Sequence, residues 1–73
     1  MIPLDELGLG EKGRIVFIAP KSHQRLDRLS TLGIVPGSIL KMHQKNPSYV
    51  VQMEETTLAL DRDIVRNIYV KRA

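Results

Sequence analysis

The chain has 73 residues, no cysteine, and eleven lysine and arginine residues against eight aspartate and glutamate residues, a net charge of +3. The absence of cysteine excludes disulfide bonds and thiolate metal ligands, so stability has to come from one compact core. No apolar run reaches the roughly 18 residues of a membrane-spanning helix, and the amino terminus, MIPLDELGLG, lacks the pattern of a secretory signal. We therefore expect a single soluble, cytoplasmic domain over residues 1–73.

The opening of the chain predicts a helical turn followed by a strand. A turn of helix is expected near residues 3–7, because Pro3 is well suited to a first helical turn. The stretch RIVFIA, residues 14–19, is rich in β-branched residues and almost continuously apolar. Such a run predicts a strand that is buried on both faces.

One amphipathic α-helix is predicted over about residues 22–32. Ser22 is a suitable N-cap, because its hydroxyl can accept a hydrogen bond from a free amide of the first turn. Leucines spaced three residues apart form the apolar face of this helix: Leu26, Leu29 and Leu32. We expect that face to lie on the apolar surface of the rest of the domain.

Two glycines and a proline interrupt the chain directly after this helix. Gly33 stands where a helix commonly ends in a residue with positive φ. Pro36 and Gly37 are the preferred central pair of a type II turn, in which proline fixes φ near about −65° and glycine takes the positive φ. The chain is therefore expected to end its helix at Gly33, reverse direction, and begin a strand at Ser38.

The second half of the chain alternates between apolar and polar residues, as strands with one buried face do. SILKMHQ, YVVQME and TTLALD predict a three-stranded meander, DRDIVRN predicts a helical turn over residues 61–67, and IYVKR predicts a final strand. The residues expected to face the core are Leu40, Met42, Met53, Leu58, Leu60, Ile68 and Val70. Five short strands in so small a chain favour closure into an all-β barrel, because closure removes exposed strand edges.

The order of these motifs resembles the FeoA family over essentially the whole chain. The opening IPLDELGLGEKGRIVFI matches that family's L-x-x-L followed by G-x-x-G-x-I, and LGIVPGS, LAL and IVRNIYV follow in the family's order. Each motif is common by itself, and the full order at this spacing carries the resemblance. The chain departs from the family pattern where Glu54-Glu55-Thr56 replaces a frequent hairpin glycine, and at Val65, where alanine is usual.

The resemblance implies an SH3-like, five-stranded β-barrel with one α-helix inserted at about residues 22–32 and short helical turns near residues 3–7 and 61–67. It also implies a cytoplasmic accessory protein of bacterial ferrous iron uptake. Such a protein would bind the cytosolic GTPase part of the membrane transporter FeoB and support or regulate transport. The same barrel occurs at the carboxyl end of DtxR-type metal-dependent repressors, whose DNA-binding domain and metal ligands have no counterpart in this sequence.

The sequence contains no arrangement typical of an enzyme or a metal centre. Asp61 and Asp63 lie near a helical turn, where capping and solvation explain the carboxylates better than a catalytic pair does. GLGEKG lacks the length and the serine or threonine of a phosphate-binding loop. His23 and His43 have no carboxylate at ligand spacing. We therefore predict a protein that is not an enzyme and has no catalytic residue, metal ligand or cofactor.

Binding to another macromolecule is the remaining class of function. Four residues are predicted partner contacts, because arginine and aromatic side chains are enriched at interface hot spots: Arg25 and Arg28 on the helix, Tyr49 beside a turn, and Ile64 on the outer side of the last helical turn. The alternative function is nucleic-acid binding or a general protein-interaction role, and the scattered cations disfavour nucleic acid. An exposed strand edge would also allow a weak homodimer.

Overall fold

The computed structural model describes residues 1–19 and 29–73. Its strands are β1 (Ile2–Pro3), β2 (Lys12–Ile18), β3 (Ile39–Gln44), β4 (Tyr49–Met53), β5 (Thr56–Leu60) and β6 (Ile68–Arg72). All pair antiparallel in one sheet of spatial order β1-β6-β2-β3-β4-β5. The predicted all-β class is confirmed. The sheet has six strands rather than five, because Ile2–Pro3 pairs with β6 as a short additional strand.

Short helical elements lie at both positions where the sequence predicts helical turns. A 3-10 helix covers Leu4–Glu6, and the α-helix α1 covers Arg62–Arg66. These two elements contact each other, and α1 also contacts β6. They therefore cover the core near the β1 edge of the sheet.

The described end of the longer predicted helix is helical. Residues 29–31 adopt this conformation, and the beginning of the prediction, including Ser22 and Leu26, lies outside the described residues. Leu29 is buried in the core, whereas Leu32 is exposed. The predicted apolar face therefore ends at Leu29, and Leu32 lies in the turn that follows the helical residues 29–31.

The core is formed by inward-facing residues of every strand except β1, together with both short helices. Its fully buried members are Leu4, Leu7, Ile15, Ile34, Leu40, Met42, Val51, Val65, Ile68 and Val70. Alternation therefore predicts the inner faces of β3 and β6 correctly, because one face of each strand meets the core. No polar side chain among the described residues is buried with them. The inner face is thus an apolar layer that stabilises the fold by burial.

The outer face of β2 contradicts the sequence-based expectation. Val16 and Phe17 expose 46% and 47% of their surface, so the prediction that this strand is buried on both faces is wrong. A bulge between Ile15 and Phe17 interrupts the pairing with β6. Antiparallel sheets are commonly covered on one face only. The apolar run in β2 does not show whether the strand is buried on one face or on both.

Candidate functional site

The segment that leads into β3 is held rigidly by a helix-ending motif. The Ile34 amide donates to the Leu29 carbonyl at 2.9 Å, and the Gly33 amide donates to the Ser30 carbonyl at 3.0 Å. Gly33 has a φ of 88°. These two bonds and the positive φ are those of a Schellman motif, and the burial of Ile34 supplies its apolar contact.

A turn then attaches this segment to β2. The Ser38 amide donates to the Val35 carbonyl at 3.0 Å around Pro36 and Gly37, and Gly37 has a φ of 98°. This is type II geometry, which requires positive φ at the third position. The Gly37 amide donates to the Ile15 carbonyl at 2.7 Å, which ties the turn to the sheet. The glycines and the proline therefore fix the position of Leu32 and of the start of β3.

An open groove of about 780 Å³ lies between this segment and the β4–β5 hairpin. It is lined by Leu32, Ile39, Met53, Lys12, Lys41 and Glu54, among others. Leu32 and Ile39 are 44% and 43% exposed, although both are large aliphatic residues. We call this the β3 groove. It combines exposed aliphatic side chains with two ammonium groups and the carboxylate of Glu54.

Two lysines of the β3 groove lie directly opposite each other in the sheet. Lys12 of β2 and Lys41 of β3 are Cα partners, and both point outward because their neighbours Gly13 and Leu40 are buried. The next row of the same face pairs Arg14 with Lys71. We call these four cations the basic face. Like charges directly opposite on neighbouring strands are destabilising, so this arrangement favours binding of an anionic group.

The basic face contains no ion pair among residues 1–19 and 29–73. The one ion pair of these residues joins Arg72 Nε to Glu11 Oε2 at 3.1 Å. Glu11 also accepts a hydrogen bond from the Gly8 amide at 2.6 Å. This bond and the neighbouring Arg72 lower the pKa of Glu11, against a smaller opposing effect of desolvation. Glu11 is thus held in the loop before β2, by Gly8 and Arg72 rather than by a cation of the basic face.

Two of the four partner contacts that the sequence predicts are described by the structure, and neither belongs to the basic face. Tyr49 and Ile64 are half-buried and pack against the core. Ile64 therefore does not lie on the outer side of α1, because this five-residue helix turns both Ile64 and Val65 towards the core. Arg25 and Arg28 lie outside the described residues. A role of these four residues in partner binding stays a prediction.

The cations of the basic face are scattered along the chain, so their positions in the sequence do not predict that they form one surface. Strand register, not sequence proximity, brings Lys12 beside Lys41. The available signal was the alternation in KGRI and ILKM, which places the cations of both segments on the side opposite the core. No cluster of three metal-ligating side chains occurs within the described residues. His43 is exposed on β3, and His23 is outside them.

The family model of the FeoA domain matches residues 2–72. This chain belongs to the FeoA family. FeoA of Chlorobium tepidum is 27% identical with a TM-score of 0.86, over 97% of this chain and 70% of that one. FeoA of Stenotrophomonas maltophilia, solved with zinc and described as a prokaryotic SH3 domain protein, is 25% identical with a TM-score of 0.83, over 97% and 91% of the two chains. The predicted SH3-like fold and family are confirmed.

The same fold occurs within larger regulators. IdeR of T. acidophilum is 21% identical with a TM-score of 0.90, and the match covers 99% of this chain but 34% of that one. This likeness concerns the fold alone, because the FeoA chain spans about a third of that protein. A search of curated proteins by sequence gives no match. Within the described part of the chain, no helix has the length and apolar character needed to cross a membrane.

Proposed function

We propose that this FeoA protein is a cytoplasmic accessory protein of ferrous iron transport that binds the cytosolic GTPase domain of a FeoB-type transporter. Membership of the FeoA family supports this proposal. For the Stenotrophomonas maltophilia relative, a role as an activating factor of bacterial ferrous iron transport has been suggested. The chemistry of GTP hydrolysis would belong to the partner, and this chain would contribute a binding surface.

The observation that carries the proposal is the opposition of Lys12 and Lys41 beside two exposed aliphatic residues. A sheet that only had to be stable would place opposite charges, or one charge and one neutral residue, at such a pair. Carboxylates of a partner would relieve the repulsion between the two ammonium groups. Leu32 and Ile39 would become buried against an apolar side chain of the same partner. The removal of these apolar surfaces from water would supply the nonspecific part of the binding free energy.

The charge of the basic face also predicts how the complex forms. Four cations on one side of a small domain, with no ion pair to any residue of 1–19 or 29–73, attract an acidic surface over distances of about a Debye length. Association should therefore be faster at low ionic strength, while the apolar lining of the β3 groove slows dissociation. An acidic patch that includes at least one protruding apolar side chain is the partner surface that fits this site.

A calorimetric titration into the cytosolic domain of the FeoB from the same genome tests the proposal. Lys41→Glu should weaken binding by about tenfold or more, because it replaces an attraction by a repulsion at a half-buried position. Arg62→Glu is the matched control: it changes net charge by the same amount on α1, away from the basic face. Equal affinities of Lys41→Glu and the unmodified protein would contradict the proposed surface. Absence of binding with and without a GTP analogue would contradict the proposed partner.

Arg28→Glu belongs in the same series, because Arg25 and Arg28 stay predicted contacts. If Arg28→Glu weakens binding together with Lys41→Glu, the interface extends from the basic face to the segment before residue 29. If only Lys41→Glu does, the interface is confined to the β3 groove and the strands beside it. Tyr49→Ala and Ile64→Ala are less informative, since both side chains pack against the core and their loss also destabilises the fold.

Nucleic-acid binding is the second candidate, and one observation favours it. The rings of Phe17 and Tyr69 lie 5.9 Å apart, next to the row formed by Arg14 and Lys71. Phe17 is exposed and Tyr69 is half-buried, and aromatic rings beside cations are the elements of a surface on which single-stranded bases stack. Titration with a single-stranded oligonucleotide should then give an affinity that falls steeply with salt and depends on Phe17. Binding that is absent at low salt would exclude this candidate.

A further inference from the structure

The two edges of the sheet differ in how well they are protected from pairing. The edge strand β1 has only two residues, Ile2 and Pro3, and proline lacks the amide that a further strand would need. The other edge strand, β5, has five residues, TTLAL, with no charge and no proline. Its register with β4 is continuous from Thr56 to Leu60, without a bulge. Strands of this kind are the ones that accept another strand.

The hairpin fixes which groups of β5 are free. Met53 and Thr56 flank a two-residue turn and are Cα partners, so they exchange hydrogen bonds with each other. Since hydrogen-bonded and non-hydrogen-bonded pairs alternate along an antiparallel ladder, Leu58 also bonds towards β4. Thr57 and Ala59 then present their amides and carbonyls at the free edge. Within residues 1–19 and 29–73, no strand covers this edge.

We propose that β5 pairs antiparallel with β5 of a second copy of this chain, around a twofold axis at Leu58. In this register Thr57 lies opposite the partner's Ala59, and Ala59 lies opposite the partner's Thr57. The two residues of each pair exchange two hydrogen bonds with each other. The free amides and carbonyls of Thr57 and Ala59 are therefore all hydrogen-bonded in both copies. Leu58 lies opposite the partner's Leu58, and its exposed part becomes covered. The contact is isologous, so it closes at a dimer and leaves β1 as the outer edge.

The charges that flank β5 limit the affinity of this contact. The paired segment TTLAL carries no charge, so two identical strands repel each other only through the residues beyond its ends. Immediately beyond it, Glu55 lies opposite the partner's Asp61, and both residues are exposed. Two such like-charge pairs occur per dimer because of the twofold axis, and each is destabilising. The dimer is therefore weak, and a substitution of the exposed turn residue Glu55 should change its dissociation constant.

Sedimentation equilibrium over a wide range of protein concentration tests this proposal. Glu55→Lys replaces both repulsions by attractions and should lower the dimer dissociation constant by about tenfold. Ala59→Pro removes an edge amide without breaking a bond to β4 and should abolish the dimer. Ala59→Ser, which keeps the amide, is its matched control. Circular dichroism of each variant verifies that the fold is retained.

Amide hydrogen exchange identifies the contact itself. In the Glu55→Lys protein, exchange at Thr57 and Ala59 should slow by tenfold or more as concentration rises, while exchange at exposed Thr31 does not change. A Glu55→Lys protein that stays monomeric up to millimolar concentration would overturn the proposal. So would a dimer that Ala59→Pro leaves intact. Neither result decides the proposed binding of FeoB, because that proposal rests on the opposition of Lys12 and Lys41 and not on the free edge of β5.

Discussion

The inner and outer faces of β2 and β3 belong to the same two strands but differ in burial and in charge. The inner face presents Gly13, Ile15, Leu40 and Met42, all buried. The outer face presents Lys12, Arg14, Ile39 and Lys41, of which three are exposed and Lys41 is half-buried. One set of residues fills the core without leaving a polar group unsatisfied. The other set places cations opposite each other and an aliphatic side chain in solvent.

If the outer face binds the partner as proposed, residues for stability and residues for binding alternate along each strand. Substitutions on the inner face should change the free energy of unfolding and affect binding only through the folded fraction. Substitutions on the outer face should leave the free energy of unfolding nearly unchanged, or raise it, and change binding directly. Adjacent residues such as Ile39 and Leu40 are therefore the most informative comparisons.

The largest effect is expected from shortening a side chain of the inner face. Leu40→Ala should lower the free energy of unfolding by about 2–5 kcal/mol, through lost burial and a residual cavity. The neighbouring Ile39→Ala should cost less than about 1 kcal/mol, because that side chain is 43% exposed. Urea unfolding measures both. Similar losses for the two variants would show that the assignment of inner and outer faces in β3 is wrong.

Strands β2 and β6 approach each other closely at Gly13, on the inner face. A Cβ placed there would lie 3.1 Å from the Cβ of Val70 and 3.3 Å from Cδ2 of Leu7. Gly13→Ala should therefore cost about 1–3 kcal/mol by overpacking. In a double-mutant cycle, Val70→Ala should cost less in the Gly13→Ala protein than in the unmodified one. Additive losses would contradict a direct clash between these two positions.

On the outer face, a charge reversal should separate stability from binding. Lys12→Glu replaces the repulsion of Lys41 by an attraction, so the free energy of unfolding should rise by roughly 0.2–1 kcal/mol. Affinity for the FeoB domain should fall at the same time. Thermal unfolding and calorimetry on the same preparation measure both. If stability and affinity fall together, the lysine pair has a structural role that the register does not explain.

The smallest effect is expected at Glu11 and depends on pH. Because the bond from Gly8 and the charge of Arg72 lower its folded pKa, Glu11 stabilises the protein fully above its ordinary pKa of 4.5. The stability that Glu11 contributes is lost as the pH falls below 4.5 and through the lowered pKa of Glu11 in the folded protein. Glu11→Gln should therefore make the acid decline in stability shallower, whereas Glu55→Gln, at an exposed turn, should not. Parallel declines for all three proteins would contradict the role of Glu11.

Local features of the fold were predictable from the sequence, and features that depend on register were not. The positive φ at Gly33 and Gly37 follows from helix-ending and turn chemistry within a few residues. The alternation in ILKMHQ likewise fixes which residues of β3 face the core. The hairpin is an intermediate case, since Glu54 has a φ of 53° at a position where the family resemblance suggested glycine. Its neighbours in the sequence do not reveal this conformation.

The candidate site was not predictable, for two physical reasons. The opposition of Lys12 and Lys41 depends on which residues pair across a long intervening segment, and composition carries no information about register. The exposure of Val16 and Phe17 depends on whether anything covers the second face of β2, which an apolar run does not indicate. Ile64 shows the same limit on a helix, where a five-residue segment is too short to define its buried side by periodicity.

The most direct test of the account is to map the contact surface by NMR as the cytosolic domain of FeoB is added to labelled FeoA protein. The account predicts that the largest changes in chemical shift occur at Lys12, Leu32, Ile39 and Lys41. Signals of α1 should change least, because that helix lies outside both the β3 groove and the basic face. Changes concentrated on residues 61–67, with the β3 groove unaffected, would contradict the account.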